Sequence, residues 1–386
     1  MNILFIISSD GKGSGGHYNS LNQVSLEMGK VHQVKIVLLG KGNSPVVEDN
    51  PFFEKKITIG HSLSDFISLK NSLKNIFQDV VPDIIHCFDT DSLNRVLWSN
   101  FLPKAPIVLN KCGGKNPLKS NYQHANAIVT FSKENQQWFQ NNGYYTANTI
   151  FLIPNRVRKL NLLPEEERKE KASKEKVTFV RISRLGGAYE MTLRQTYNLL
   201  DKLSLKIQVE LFVIGKIQDN ERFNTLKAEG LNQNYTVHFI TDDRAFKGSD
   251  FLYLADFVVG TGRSFMEATS LRIPTLTPAQ NTQTPILVTK ANLENFLSTN
   301  FSERNIACEG SEVMTQKEIH QIINDSAYKE KVHKDTLELF EEFFGTSKIV
   351  QKYNEVYEFA IKEPHKRRKL IIKNIPYLIK YLTLGR

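Results

Sequence analysis

Chemistry is densest between Ala255 and Thr275, in the stretch ADFVVGTGRSFMEATSLRIPT. The apolar run Phe257-Val258-Val259 reads as a short buried strand. Gly260-Thr261-Gly262-Arg263-Ser264 then makes a turn, and a helix carries Glu267 and Ala268. Glycines let backbone approach a ligand closely, and Ser264 is placed to cap the helix. The free amides of a helix N-terminus, with Arg263 beside them, suit a phosphate group. Glu267, one turn in, is within reach of sugar hydroxyls. Taken alone, the stretch is equally a strand, turn and helix that merely pack.

The elements that must hold these residues alternate strand and helix. Residues 2–8 are a strand, Gly11-Lys12-Gly13-Ser14-Gly15-Gly16-His17 a glycine-rich loop, and 20–28 a helix. This is the opening of a doubly wound domain, whose ligands sit at the carboxyl ends of strands. The loop lacks the Gly-x-Gly-x-x-Gly dinucleotide fingerprint, and many such loops only permit tight packing. Strands follow at 33–39, 56–59, 82–86, 106–112 and 126–132. A helix over 65–80 puts Phe66, Leu69, Leu73 and Phe77 on one side. A second unit starts with the strand 177–183, continues through a helix at 191–203 and strands at 209–214, 235–240 and 274–278, and ends in helices between 292 and 362. Between the units, 162–176 is dense in Glu and Lys and reads as a solvated linker or exposed helix.

Set in this order of elements, the 255–275 stretch resembles the donor-nucleotide segment of GT-B glycosyltransferases, family 4 in particular. Glu267-Ala268 and Ile273-Pro274 match its second half, and the Gly260 to Ser264 turn stands in place of its first Glu. Pro82-Asp83-Ile84-Ile85-His86 resembles the family's Pro-Asp-Val-Ile-His segment. The run from Ile150 to Asn155 resembles its Ile-Pro-Asn-Gly hinge, with Arg156 where Gly is usual. The resemblance covers roughly residues 1–362. It implies an α/β GT-B architecture, with two Rossmann-like doubly wound domains facing a cleft and a C-terminal helix crossing back. Its parts would be an acceptor domain 1–155, a linker 156–175, a donor domain 176–345, a crossover helix 346–363 and a basic tail 364–386.

The resemblance also implies roles. Arg184, Arg263 and Glu267 would be the catalytic residues, with the arginines on the donor diphosphate and Glu267 on the ribose. Gly15, Gly16, Tyr189, Gly215, Lys216, Thr261, Gly262 and Ser264 would line the donor. His17, His86, Asp89 and Cys112 would face the acceptor, Cys112 standing where many members carry His. The family's Lys about five residues past Arg184 is absent; Tyr189 and Glu190 stand there. The implied activity is retaining transfer of a sugar from a nucleotide-sugar, UDP by default, to a glycan or lipid-linked acceptor in bacterial cell-surface polysaccharide synthesis. No metal and no cofactor are expected. The departures leave open a non-catalytic glycosyltransferase-like partner subunit. A phosphosugar epimerase shares the fold, but needs further acid and His groups that have no place here.

Bulk properties bound these readings. The 386 residues suggest two domains, each with its own core. Three scattered cysteines, Cys87, Cys112 and Cys308, include no CxxC pair, so neither a zinc site nor a disulfide framework is indicated. The opening MNILFIISSDG reads as a strand rather than a signal peptide, and no apolar run approaches a membrane span; a cytoplasmic location is expected. Residues 364–386 hold seven Lys/Arg and no acid, so only +2 of the net +9 belongs to the rest. That speaks against a nucleic-acid partner, which needs a basic face on the fold itself. In the tail Ile371, Ile375, Leu378 and Leu382 share a helical face, and Lys369, Lys373 and Lys380 lie elsewhere. Such a segment (residues 366–386) suits an anionic membrane surface, here the inner face of the cell membrane, bent at Pro376; the alternative is a solvated end.

Overall fold

In the computed structural model the chain divides into two compact units, Met1–Arg156 with Thr346–Arg386, and Val157–Gly345. All residues are described except 14, 61–62, 77–80, 100–104, 118–121, 169, 171, 174, 188, 363–366 and 385–386. Ser14 and Phe77 therefore lie outside the described residues, as do the side chains of Lys369 and Leu382.

The N-terminal unit is built on seven parallel strands: β1 (Asn2–Ser8), β2 (Gln33–Leu39), β3 (Phe53–Ile57), β4 (Ile84–Cys87), β5 (Ile107–Lys111), β6 (Ala127–Thr130) and β7 (Ile150–Leu152). Their order is β3-β2-β1-β4-β5-β6-β7. Side chains alternate between faces along a strand. Leu4, Ile6, Val37 and Leu39 enter one core, and Ile3, Phe5, Ile36 and Leu38 the other. With both faces covered, β1 and β2 read as nearly unbroken apolar runs. The edge strand β3, FEKKI, exposes Glu54 and Lys55, charges that discourage pairing with another chain.

After Gly345 the chain returns to this unit. The helix Ile349–Lys362 sets Tyr353, Val356, Tyr357 and Ala360 into one core. The helix Arg367–Leu384 sets Leu370 and Leu378 into the other. The tail is thus not a solvated end. Asn374, fully buried, donates to His124 O (2.9 Å) and accepts from His124 N (2.8 Å). The helix runs through Pro376, and the expected apolar face is split: Leu378 is buried, Ile371 half-buried, and Ile375 exposed with Ile372 and Ile379. The Leu370, Asn374, Leu378 spacing, one residue per turn, is what faces the unit.

The second unit holds β8 (Val177–Ile182), β9 (Val209–Ile214), β10 (Thr236–Ile240), β11 (Phe257–Val259), β12 (Thr275–Thr277) and β13 (Ile286–Leu287). Their order is β10-β9-β8-β11-β12-β13, all pairs parallel except β12 with β13. The two-residue β13 is too short for any periodicity and is missed from sequence. The stretch expected as a solvated linker belongs to this unit. Leu160 and Ala172 pack against the core of Val180, Phe212 and Ile214, and Ser173 N donates to Glu210 Oε1 at 2.7 Å.

In each sheet the unit's first strand has its second on one side and its fourth on the other: β2 and β4 around β1, β9 and β11 around β8. Where strand order reverses, the following loops part to opposite faces and leave a crevice at the carboxyl ends. The residues of chemical interest gather at those two places.

Candidate functional site

At the ends of β8 and β11 the second unit gathers guanidinium groups. Arg181, fully buried within β8, donates to Val259 O (3.0 Å) and Thr192 Oγ1 (2.6 Å). Its Nε has no partner among the described residues. Burial lowers its pKa to about 10, so it remains charged at neutral pH. Sequence reasoning passes over Arg181, although a charge inside the buried strand VTFVRI is itself a signal, because buried charges are kept only when something holds them. Arg184, just past β8, is exposed. Its guanidinium carbon lies 5.4 Å from the Tyr189 ring centroid and Nη2 lies 3.4 Å from the Tyr189 hydroxyl. A ring orients this cation without neutralising it.

After β11, Gly262 (φ 50°, ψ −114°) is the N-cap of the helix Arg263–Ser270. The positive φ suits glycine. Ser264, expected as the cap, lies inside the helix. Its hydroxyl accepts from Thr261 N (3.1 Å), and its one proton faces both Thr261 O (3.1 Å) and Ile182 O (3.3 Å), which sets this turn against the end of β8. Thr261 therefore spends its amide on Ser264, and the amides of the helix's first turn, from Arg263 onward, are those left without an intrahelical acceptor. Arg263 Nε pairs with Glu267 Oε1 at 2.6 Å, one turn along the same helix. Burial raises the Glu267 pKa and Arg263 opposes the rise. Arg263 Nη1 and Asn300 Oδ1 are buried without a hydrogen-bond partner among the described residues.

Gly215 follows β9. A Cβ there would stand 1.6 Å from Ser183 O, so glycine is demanded by loop-to-loop packing. Lys216 Nζ sits 2.9 Å from the Phe246 ring centroid. Arg184, Tyr189, Thr261, Gly262, Arg263, Ser264 and Glu267 thus surround the ends of β8 and β11, with Gly215 touching Ser183 beside them. Cations, first-turn amides and one buried carboxylate are the chemistry that holds a diphosphate and a diol.

The N-terminal unit treats its expected residues differently. Gly15 caps the helix Gly16–Met28, and the His17 ring lies 4.0 Å from that of Tyr18. A Cβ at Gly13 would come within 2.8 Å of both Ser44 and the Tyr18 ring, so this glycine serves packing. His86, expected to face an acceptor, is fully buried. Its Nε2 lies 3.1 Å from Asn110 Oδ1 and its Nδ1 2.8 Å from the Tyr357 hydroxyl; an acceptor on one side and a hydroxyl on the other fix a neutral ring. Burial lowers its pKa to about 3. Cys112, half-buried, has Sγ 3.5 Å from Phe88 O, and burial pushes its thiol up to about 12. Asp89 caps the helix Thr90–Trp98 through Ser92 N (2.6 Å) and ties down β1 through Ser8 N (2.8 Å) and Ser8 Oγ (2.6 Å). His86 is closed into the frame, whereas Asp89 is half-buried and combines its capping bonds with a place beside the pocket residues Thr90 and Asp91.

A pocket of about 470 Å³ opens instead near the ends of β1 and β4, and its lining includes Ser9, Asp10, Asp91, Tyr377 and Lys380. The fully buried Arg95 holds Asp10 (3.0 Å) and Asp91 (2.9 Å). Sequence reasoning singles out neither Asp10 nor Arg95. An Asp and an Arg at i and i+4, as Asp91 and Arg95 are, were the available signal.

No protein-family model matches the chain, and no curated protein matches it. Solved structures do. The chain is similar to Anabaena HepE in complex with UDP and glucose (TM-score 0.64, 15% identity, 93% of this chain and 99% of that one). It is also similar to a glycosyltransferase from Rickettsia africae (TM-score 0.67, 15% identity, 94% and 98%). A third likeness is to the UDP-GlcNAc 2-epimerase of Neisseria meningitidis bound to UDP-GlcNAc (TM-score 0.53, 13% identity, 92% and 99%). At such identities what is shared is architecture: the chain has the two-unit α/β GT-B fold.

Proposed function

We propose that this protein is a retaining glycosyltransferase that moves a sugar from a UDP-sugar to a glycan or lipid-linked acceptor in bacterial surface polysaccharide synthesis. One observation carries the reading: exposed Arg184, uncompensated by any carboxylate among the described residues, stands at the end of β8 beside the amide-rich turn that leads into Arg263. As the bond to the sugar breaks, negative charge grows on the diphosphate. Fixed cations and amides stabilise that charge more than they stabilise the bound donor, which is what lowers the barrier. Glu267 accepts from ribose hydroxyls, with Arg263 opposing the rise that burial gives its pKa. The nucleotides held by HepE and by the Neisseria epimerase, both UDP derivatives, support the choice of base. Charge stabilisation by arginines and amides needs no divalent ion. Accordingly, release of UDP from a panel of UDP-sugars is expected to persist in EDTA. Release that appears only with added magnesium or manganese would overturn the metal-free part of this reading.

A second reading, a non-catalytic glycosyltransferase-like partner subunit, is favoured by Cys112: its position resembles one where the family carries His, and its thiol, pushed up to about 12, does no acid–base work at neutral pH. UDP bound without release of UDP from any sugar nucleotide would select it.

We also place the protein at the inner face of the cell membrane. No helix among the described residues is long and apolar enough to cross a bilayer. Ile372, Ile375 and Ile379 form an exposed apolar stripe on the C-terminal helix, close to exposed Lys373, a pattern that lies in an anionic interface. The protein is expected to sediment with phosphatidylglycerol vesicles and not with phosphatidylcholine vesicles, and Ile375→Glu/Ile379→Glu is expected to remain in the supernatant. Equal sedimentation of that variant and the wild type would rule the stripe out.

A further inference from the structure

The segment after the helix Leu293–Leu297 carries a backbone strain that the donor-site reading does not use. Asn300 (φ 59°) and Phe301 (φ 54°) are adjacent non-glycine residues in the left-handed region. Such residues cost stability, persist only where the surroundings hold them, and cluster at functional sites. Here the hold is aromatic. Phe301, fully buried, stacks on Phe265 with ring centroids 3.9 Å apart and planes 7° apart, and its carbonyl accepts from Thr277 Oγ1 at 3.2 Å. Asn305, also fully buried, donates to Pro278 O at 2.9 Å. Phe265 belongs to the helix Arg263–Ser270, so the stack sets Asn300 against that helix's first turn. A Cβ on Gly262 would lie 3.7 Å from Asn300 Nδ2. Glu303, farther along the segment, is near enough to Arg181 to oppose, after Tyr189, the fall that burial gives its pKa.

Two hydrogen bonds at this turn are unmade. Asn300 Oδ1 and Arg263 Nη1 are both buried without a partner among the described residues. Buried polar atoms without partners are rare in folded proteins, and each calls for a cause. A phosphate oxygen would answer the guanidinium but not the carboxamide oxygen, which needs a donor. A hydroxyl answers both, accepting from one and donating to the other. Asn300 as a whole is half-buried, so a turn of its carboxamide brings the oxygen to an occupant. Position chooses among the hydroxyls of a nucleotide-sugar. Glu267, which takes the ribose in the donor reading, lies one turn into the helix, and the diphosphate meets the first-turn amides. Gly262 precedes both, so the group at Asn300 lies beyond the diphosphate. We infer, on the basis of that donor reading, that Asn300 binds a hydroxyl of the transferred sugar and is a residue by which the site selects its donor. A sugar without that hydroxyl leaves the carboxamide unpaired, and it is rejected for that reason.

The test is calorimetry of the full chain with UDP, UDP-glucose, UDP-galactose and UDP-N-acetylglucosamine, on wild type, Asn300→Gly and Asn300→Asp, beside urea unfolding of each. Glycine takes the left-handed region without strain. Asn300→Gly therefore removes the carboxamide alone, and is expected to unfold at no lower urea concentration than the wild type. At least one of the three UDP-sugars is expected to bind the wild type. For the tightest of them, the ratio of its Kd to that of UDP is expected to rise about five- to tenfold in Asn300→Gly, with UDP itself bound as before. Asn300→Asp keeps an acceptor oxygen and is expected to hold the ratio near the wild-type value. The ratio is read on folded protein, so a change in stability does not enter it. An unchanged ratio in Asn300→Gly, or UDP weakened as much as the UDP-sugar, would overturn the assignment. UDP bound without any of the three UDP-sugars would also overturn it, and would leave the nucleotide site standing. No UDP bound by folded wild type would remove the donor reading, and the assignment with it.

Discussion

Arg263→Met is expected to lower the unfolding free energy by about 3 to 5 kcal/mol, the range for removing one partner of a buried pair. The reason is what it leaves behind. Glu267 is 7% exposed, and Arg263 Nε at 2.6 Å is the cation that offsets its burial. Without that cation the carboxylate is held uncompensated or must take up a proton. The sign with pH follows. A carboxyl whose folded pKa is raised above its unfolded value costs stability as pH rises between the two, so the deficit of Arg263→Met is largest at neutral pH and shrinks toward pH 4. Removing both charges in Arg263→Met/Glu267→Leu is expected to return most of the loss, with a coupling of about 2 kcal/mol between the sites. Urea unfolding of the four proteins of this cycle measures it. Additive losses would mean that the pair is not coupled and that Arg263 does not offset the burial of Glu267.

The second large effect concerns His86. Its pKa is lowered to about 3 by burial, against about 6.5 for an unfolded histidine. Below the unfolded value the unfolded chain takes a proton that the folded chain refuses, so stability falls with falling pH at up to about 1.4 kcal/mol per unit. From pH 6.5 to 4.5 this one side chain is expected to remove about 2 kcal/mol. His86→Gln cannot titrate. It is expected to be less stable at pH 7, by about 1 to 3 kcal/mol for disturbed bonds to Asn110 and Tyr357, yet to lose less on acidification, so its curve converges with that of the wild type. Parallel curves in urea unfolding between pH 7 and 4.5 would contradict the buried neutral ring.

What the sequence disclosed and what it concealed divide along physical lines. The inner strands of both sheets were legible because parallel strands buried on both faces must be apolar throughout, as in NILFIIS and VELFVI; the charged edge strand β3 lies at Phe53–Ile57 rather than 56–59. The helix Ile349–Lys362 was expected from the resemblance, as its crossover helix 346–363. Three things were not. β13 pairs over two residues, and only the neighbouring strand makes it a strand. Ser264 has the residue type of a cap, but Gly262 at positive φ starts the helix earlier and turns the serine hydroxyl to Thr261 and Ile182. The tail's docked face uses Asn374, a polar residue whose burial makes sense only beside the His124 backbone. The site shows the same split. Arg184, Arg263 and Glu267 follow strand ends in sequence, so position alone proposes them. Asp10, Asp91 and Tyr377 come together only in three dimensions, and the partner that closes His86 into the frame, the Tyr357 hydroxyl, comes from the other end of the chain.

The most direct measurement is calorimetry of UDP with wild type and with Arg184→Ala. Arg184 is exposed, and among the described residues its guanidinium hydrogen-bonds to Tyr189 alone, so its loss is expected to leave the fold intact. A charge-assisted bond to phosphate contributes about 1.5 to 3 kcal/mol. The account therefore predicts micromolar binding of UDP by the wild type and affinity about 10 to 100 times weaker in the variant. No UDP binding by folded wild type, or equal binding by the two proteins, would contradict a donor diphosphate at the end of β8.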